Sequence, residues 1–201
     1  VYSATTKATC GMKVFFDCEF TGLHQHTTLI SIGLVSEDGR TFYAEANDYN
    51  KGQITDWLRN NVLTHLQFSQ NANESLPRID LEHHAMKGTR SQVAFSVAQW
   101  LAQWELVEMW GDCLAYDWVL FCQLWGGGAE CLPKNVSYIP FDLATLLAVA
   151  GVDPDVSRTE YAGFSIPSEA LPRHNALFDA KVLRACYERV MASGAWSSDK
   201  G

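Results

Sequence analysis

An acidic pair closes an apolar run near the start of the chain, Val14-Phe15-Phe16-Asp17-Cys18-Glu19-Phe20. On an extended strand alternate side chains share a face, so Asp17 and Glu19 point the same way while Phe16 and Cys18 enter the layer behind. Two carboxylates held that close either share a proton or need a cation between them. At neutral pH a divalent ion is the usual answer. A solvated surface strand is the plain alternative, but the flanking Phe15, Phe16 and Phe20 argue for a buried central strand.

Far downstream stands His174-Asn175-Ala176-Leu177-Phe178-Asp179. Leu183, Cys186 and Val190 follow Asp179 at helical spacing, which sets its carboxylate on the core-facing stripe of a helix. A lone charge there costs on the order of several kcal/mol unless a cation or hydrogen bonds offset it. Asp117 repeats the pattern with Leu120, Phe121 and Leu124 on its stripe. Asp112 and Asp142 are further candidates, although an Asp at a helix start also caps it, the first reading of Asp142 after Tyr138-Ile139-Pro140-Phe141. Periodicity does not choose between Asp117 and Asp142. His174 and Asp179 would diverge by about 140° on one ideal helix. Asn175 is a good N-cap, however, which puts His174 in the preceding loop after the Pro172 turn, free to fold back over the carboxylates. A histidine beside a metal can deprotonate water near pH 7.

Three strand-like runs must carry the first acids: residues 13–20, 28–36 and 41–46, the last two joined by the hairpin-type turn Glu37-Asp38-Gly39-Arg40. Helical spacing follows over 54–66 and 92–104, a short buried strand over 106–110, and helix again over 118–125. A last strand is expected over 138–141, a helix over 142–150 and a closing helix over 175–191. This order predicts an α/β fold, a mixed sheet of three antiparallel strands and then parallel strands, with helices on both faces. Strand ends are where ligands gather in such sheets. Gly126-Gly127-Gly128 follows a helix and reads as a C-cap and loop, not a phosphate cradle. Residues 152–173, with three prolines and little periodicity, read as a mobile flap beside the site.

A chain of 201 residues with 47% hydrophobic content fits one domain with a sizeable core. That domain is expected over 12–192, with residues 1–11 an extension or cloning remnant ahead of Met12 and 193–201 a tail. No apolar stretch approaches the ~20 residues that span a bilayer, and the first eleven residues lack the build of a secretory signal. A cytoplasmic protein with no membrane partner is expected. Six cysteines without a CxxC pair suggest reduced core thiols, and His83-His84 and His24-Gln25-His26 read as loop histidines, not zinc ligands. The net charge of -8 and pI near 5.1 count against broad binding to a nucleic-acid backbone. A pocket that grips a few terminal nucleotides needs no basic face, at the cost of modest affinity for long substrates.

Asp17-Cys18-Glu19, Gly111-Asp112-Cys113-Leu114-Ala115-Tyr116-Asp117 and His174 to Asp179 resemble, in order and spacing, the three motifs of the DEDDh, or DnaQ-like, 3′-to-5′ exonucleases of the ribonuclease H-like superfamily. More closely, Phe15 to Phe20, Ala115 to Gly126 and His174 to Ala180 resemble the small bacterial and phage 3′-to-5′ exoribonucleases of the mycobacterial type, over roughly residues 12–192. The resemblance implies that Asp17, Glu19, Asp117 and Asp179 hold two magnesium or manganese ions, that His174 is the general base, and that Thr21, Gly22 and Leu23 line the terminal-nucleotide pocket. One departure is Cys113, where many relatives carry Asn.

Oxygen-only ligands suit magnesium or manganese better than zinc. The expected chemistry is a two-metal hydrolysis, the ions about 4 Å apart, that frees nucleoside 5′-monophosphates from a 3′ end. Leu23, Tyr116 and Trp118 are candidates to stack on bases, Trp118 having a core reading as well. The expected substrate is single-stranded RNA or an RNA 3′ overhang, and the expected assembly a homodimer. The alternatives are a DNA exonuclease or proofreading subunit with the same chemistry, and a catalytically silent nucleic-acid-binding module. An endonuclease fits the histidine and four acids less well.

Overall fold

The computed structural model describes residues 11–68, 78–79 (backbone alone), 82–164 and 174–194. Residues 1–10 of the expected extension, all but the first two residues of the expected tail, and residues 165–173 of the expected flap lie outside these.

The opening meander forms as its alternation dictates. β1 (Met12–Phe20) pairs antiparallel with β2 (Leu29–Ser36), which pairs antiparallel with β3 (Thr41–Ala46). The β2–β3 turn closes at Gly39, whose φ of +95° suits a residue without a Cβ. At one edge β4 (Arg78–Ile79) lies antiparallel to β5 (His83–Gly88), and β5 runs parallel to β3. At the other, β6 (Val107–Gly111) runs parallel to β1 and β7 (Phe141–Asp142) parallel to β6. The result is one mixed seven-stranded sheet in the order β4-β5-β3-β2-β1-β6-β7.

Six α-helices are described: α1 (Asp56–Asn61), α2 (Arg90–Leu101), α3 (Asp117–Gln123), α4 (Leu143–Val149), α5 (Arg158–Tyr161) and α6 (Ala176–Ala192). The period of two along β1 divides them between the faces. Val14, Phe16 and Cys18 enter the core that contains Val93 and Val97 of α2 and Leu120 and Phe121 of α3. Phe15 enters the other core, with Leu143 and Leu147 of α4 and Leu183, Cys186 and Val190 of α6. Asp17 and Glu19 continue the Phe15 side of the strand, so they face α6.

Four expectations are corrected. His83 and His84 are not loop residues but begin β5, with the His84 ring stacked on Phe42 at 4.8 Å and His83 Nδ1 bonded to Thr41 Oγ1 at 2.9 Å. A strand that joins its partner in parallel leaves no hairpin signal, and this one lacks a clean alternation. The helix expected over 54–66 breaks into α1 and a 3-10 turn, Leu63–His65. Asn61 donates to the Trp57 carbonyl and Thr64 to the Asn60 carbonyl, local bonds that compete with the helical ladder. Of the strand expected over 138–141 only Phe141 is paired, and β7 runs on to Asp142, since Pro140 has no N–H to give. Cys113 and Cys131 are exposed, so the core reading of the cysteines holds for Cys18, Cys122 and Cys186.

Candidate active site

Asp17 and Glu19 are placed by β1, and Asp179 is brought to them by α6. Asn175 caps that helix, its side chain accepting from Phe178 N at 3.1 Å and donating to the His65 carbonyl at 2.8 Å. The first turn of α6 then lies directly on β2 at Gly33, the residue paired with Asp17. A Cβ at Gly33 would stand 2.3 Å from Leu177 N and 2.4 Å from the Ala176 carbonyl carbon, so no other side chain fits there without displacing the helix. This contact carries Asp179 over the strand. One ligand oxygen each from Asp17, Glu19 and Asp179 lie within 4.8 Å of one another.

Asp117, the first residue of α3, lines the same cavity and is tied to β1, its Oδ1 accepting from Cys18 N at 2.9 Å. The other two candidate acids are engaged elsewhere. Asp142 caps α4, accepting from both the N–H and the hydroxyl of Thr145. Asp112 receives a two-pronged bond from Arg158.

Crowding of these acids shows in their protonation. Burial first, and then the charges of Asp117, Asp179, Glu19 and Asp112, raise Asp17 well above the usual carboxylate range. Glu19 is pushed up to about 8, by burial and then by Asp179 and Asp117. Burial lifts Asp117 to about 6, against the N–H of Cys18, which favours its charged form. Without a counter-charge the group holds protons at neutral pH. An all-oxygen donor set with that surplus of negative charge fits a hard divalent cation.

His174 stands in the loop just before α6 with φ of +60°, a left-handed conformation that costs about 1–2 kcal/mol for a residue with a Cβ. Its ring meets Trp57 edge-on, the centroids 5.0 Å apart. Two cavities share Asp17, His174 and Asp179. The larger, about 620 Å³, is walled by Thr21, Gly22 and Leu23 on one side and by Thr55, Trp57 and Leu58 on the other. The smaller, about 440 Å³, is walled by Asp112, Ser157, Arg158 and Thr159.

Of the residues singled out in the sequence, His174, Asp17, Glu19, Asp117 and Asp179 share one cavity with Thr21, Gly22 and Leu23. Leu23 is 75% exposed at its rim. The Thr21 hydroxyl is held by Gln53 Oε1 at 2.6 Å, which fixes the turn after β1. Tyr116 and Trp118 line neither cavity. Tyr116 stacks on Phe20, and Trp118 on Phe121 where it packs against the core. Sequence reasoning missed Trp57, 54% exposed; its one signal was a large aromatic ring beside Asp56 in the first turn of a short helix. It missed Arg158 as well.

A family model described as the 3′-5′ exoribonuclease Rv2179c-like domain matches residues 12–191. Two curated proteins are each 28% identical to the chain over 172 residues, covering 85% of it and 88% of the relative. They are 3′-5′ exoribonuclease Rv2179c of Mycobacterium tuberculosis strain ATCC 25618 / H37Rv and 3′-5′ exoribonuclease MT2234.1 of strain CDC 1551 / Oshkosh. With the match spanning nearly all of the described residues, the chain belongs to the family of Rv2179c-like 3′-5′ exoribonuclease domains.

Proposed function

We propose that this chain is a 3′-to-5′ exoribonuclease of the DEDDh kind, in which Asp17, Glu19, Asp117 and Asp179 hold two magnesium or manganese ions. The observation that carries this reading is the convergence of carboxylates from β1 and α6 to within 4.8 Å, beside His174 and in a cavity wide enough for a nucleotide. The family and both relatives bear the name of that activity. When bound, such ions lower the pKa of water and balance charge on the departing 3′ oxygen.

The chain's own residues supply the rest. His174 takes the proton of the attacking water in this reading, which its place in the cavity wall and its ring contact with Trp57 support. The terminal nucleoside enters between the turn Thr21 to Leu23 and Trp57. Apolar faces of Leu23 and Trp57 accept any base, since every base has a π-face. Hydrolysis there releases one nucleoside 5′-monophosphate per cycle from single-stranded RNA or a 3′ overhang.

Digestion of 3′-labelled RNA and DNA oligomers with manganese or magnesium, products sized, tests the reading. Mononucleotides from linear RNA, with a circular RNA left intact, are expected. Asp17→Asn should lower turnover by about 10³-fold or more with the fold retained. A soluble Asp17→Asn protein that degrades RNA at the normal rate would contradict the assignment. The homodimer belongs to the same proposal. Exposed Tyr138, Ile139, Phe141 and Val149 near β7 offer apolar surface for it, and sedimentation should give twice the monomer mass.

A further inference from the structure

Arg158 is a cation beside a site built from acids, yet its donors are turned to one acid outside that site. Its Nε donates to Asp112 Oδ2 at 2.6 Å and its Nη2 to Asp112 Oδ1 at 3.1 Å. Nη1 donates to the Val156 carbonyl and Nη2 to the Pro154 carbonyl, both at 2.7 Å. Four of the five guanidinium N–H groups are thus occupied. The two side chains are only 20% and 22% exposed, so solvent screens the pair far less than an ordinary surface ion pair.

Arg158 and Asp112 both wall the smaller cavity, whose other residues include Asp17, His174 and Asp179. The negative charge of Asp112 reaches both Asp17 and Asp117. Asp112 is therefore a fifth carboxylate at the edge of the acid cluster, and a cation is bonded to it through both oxygens. We propose that Arg158 is a positioning residue that neutralises Asp112 and keeps this fifth carboxylate out of the set that holds divalent ions. The inference rests on the ion-holding role proposed above for Asp17, Glu19, Asp117 and Asp179. Its consequence is that the number and place of the ions are set by four acids rather than five, and α5 contributes to the site through charge.

Manganese binding separates this role from a merely structural one. Arg158→Gln and Asp112→Asn, and the two combined, keep polar groups that can still bond to each other and to the Pro154 and Val156 carbonyls. Free manganese is followed by electron paramagnetic resonance in a titration of each protein, with a melting curve taken without metal. Arg158→Gln leaves Asp112 uncompensated and should bind manganese about threefold to tenfold more tightly, whereas Asp112→Asn leaves a lone guanidinium and should bind it more weakly by about as much. The double variant should return to within about twofold of the unmodified protein. In RNA digestion Arg158→Gln should lose kcat with little change in KM, as ions drawn to Asp112 are misplaced, and the double variant should recover it.

Weaker manganese binding by both single variants, or a double variant no nearer to the unmodified protein than the worse single one, would overturn the inference and leave Arg158 as a staple of the cavity wall. Should Arg158→Gln fail to fold, the recovery of Asp112→Asn by the second substitution still decides. Variants that show the binding pattern, with an unmodified protein that digests no RNA, would sink the proposed function alone. One that binds no manganese would sink the ion-holding reading itself.

Discussion

Glu19 holds its proton up to about 8 in the folded protein, against an ordinary value of 4.5. Between those values the folded state keeps a proton that the unfolded chain has released, so the metal-free fold loses stability as pH rises through that window. Asp17 adds to the same trend, since burial and its acidic neighbours raise it as well. The melting temperature in the presence of a chelator should therefore fall between pH 5 and pH 8, and manganese at pH 8 should restore it by binding the ionised acids. Calorimetry in buffers of different ionisation heat should show protons released on manganese binding at pH 7. A melting temperature that does not change over this range would contradict the crowding of Asp17 and Glu19. At this scale the sequence was legible where one element sufficed. The strand period puts Asp17 and Glu19 on one face, and Asn175 announces the cap that leaves His174 outside α6.

Gly33 shows what the elements add. A glycine within a strand marks a close backbone approach, a signal present in the run Leu29–Ser36, but the partner lies more than 140 residues downstream. Gly33→Ala would drive a methyl group into the backbone of α6, which cannot yield by a rotamer change as a side chain can. Overpacking of this kind costs about 1–3 kcal/mol. The expected outcome is a lower melting temperature together with lost manganese affinity, because α6 moves and takes Asp179 with it while Asp17 and Glu19 stay on β1. Retained manganese affinity in a folded Gly33→Ala protein would show that Asp179 is placed some other way. β5 was illegible for a similar reason. Its parallel pairing with β3 spans about 40 residues of chain, and no local turn announces it.

The whole molecule carries a net charge of -8, and the acids of the cleft account for only part of it. Such a surface repels a long polyanion, and the proposed function then requires RNA to be held only near the reacting end. A protein that neutralises six to ten phosphates loses about 10³–10⁵ in affinity between 50 and 200 mM salt. Here kcat/KM for an RNA oligomer should fall by less than about tenfold over that range. A steep loss would point to a basic track along the RNA. Among the described residues no helix is long and apolar enough to cross a membrane.

By itself the sequence determined the donor chemistry and the local geometry around it: carboxylate oxygens, an acidic pair on one strand face, a third acid one turn into a capped helix, and a mixed sheet to hold them. Those features depend on strand and helix periods and on caps, which act over a few residues. Tertiary structure decided which middle aspartate lines the cavity of the acidic pair. The bond from Cys18 N ties Asp117 to β1 across 99 positions, while Asp142 is spent on a cap and Asp112 on Arg158, 46 positions away. It also brought Trp57 to His174 and left Tyr116 and Trp118 outside both cavities. Contacts over such separations come from the packing of the folded chain, and local propensity does not encode them.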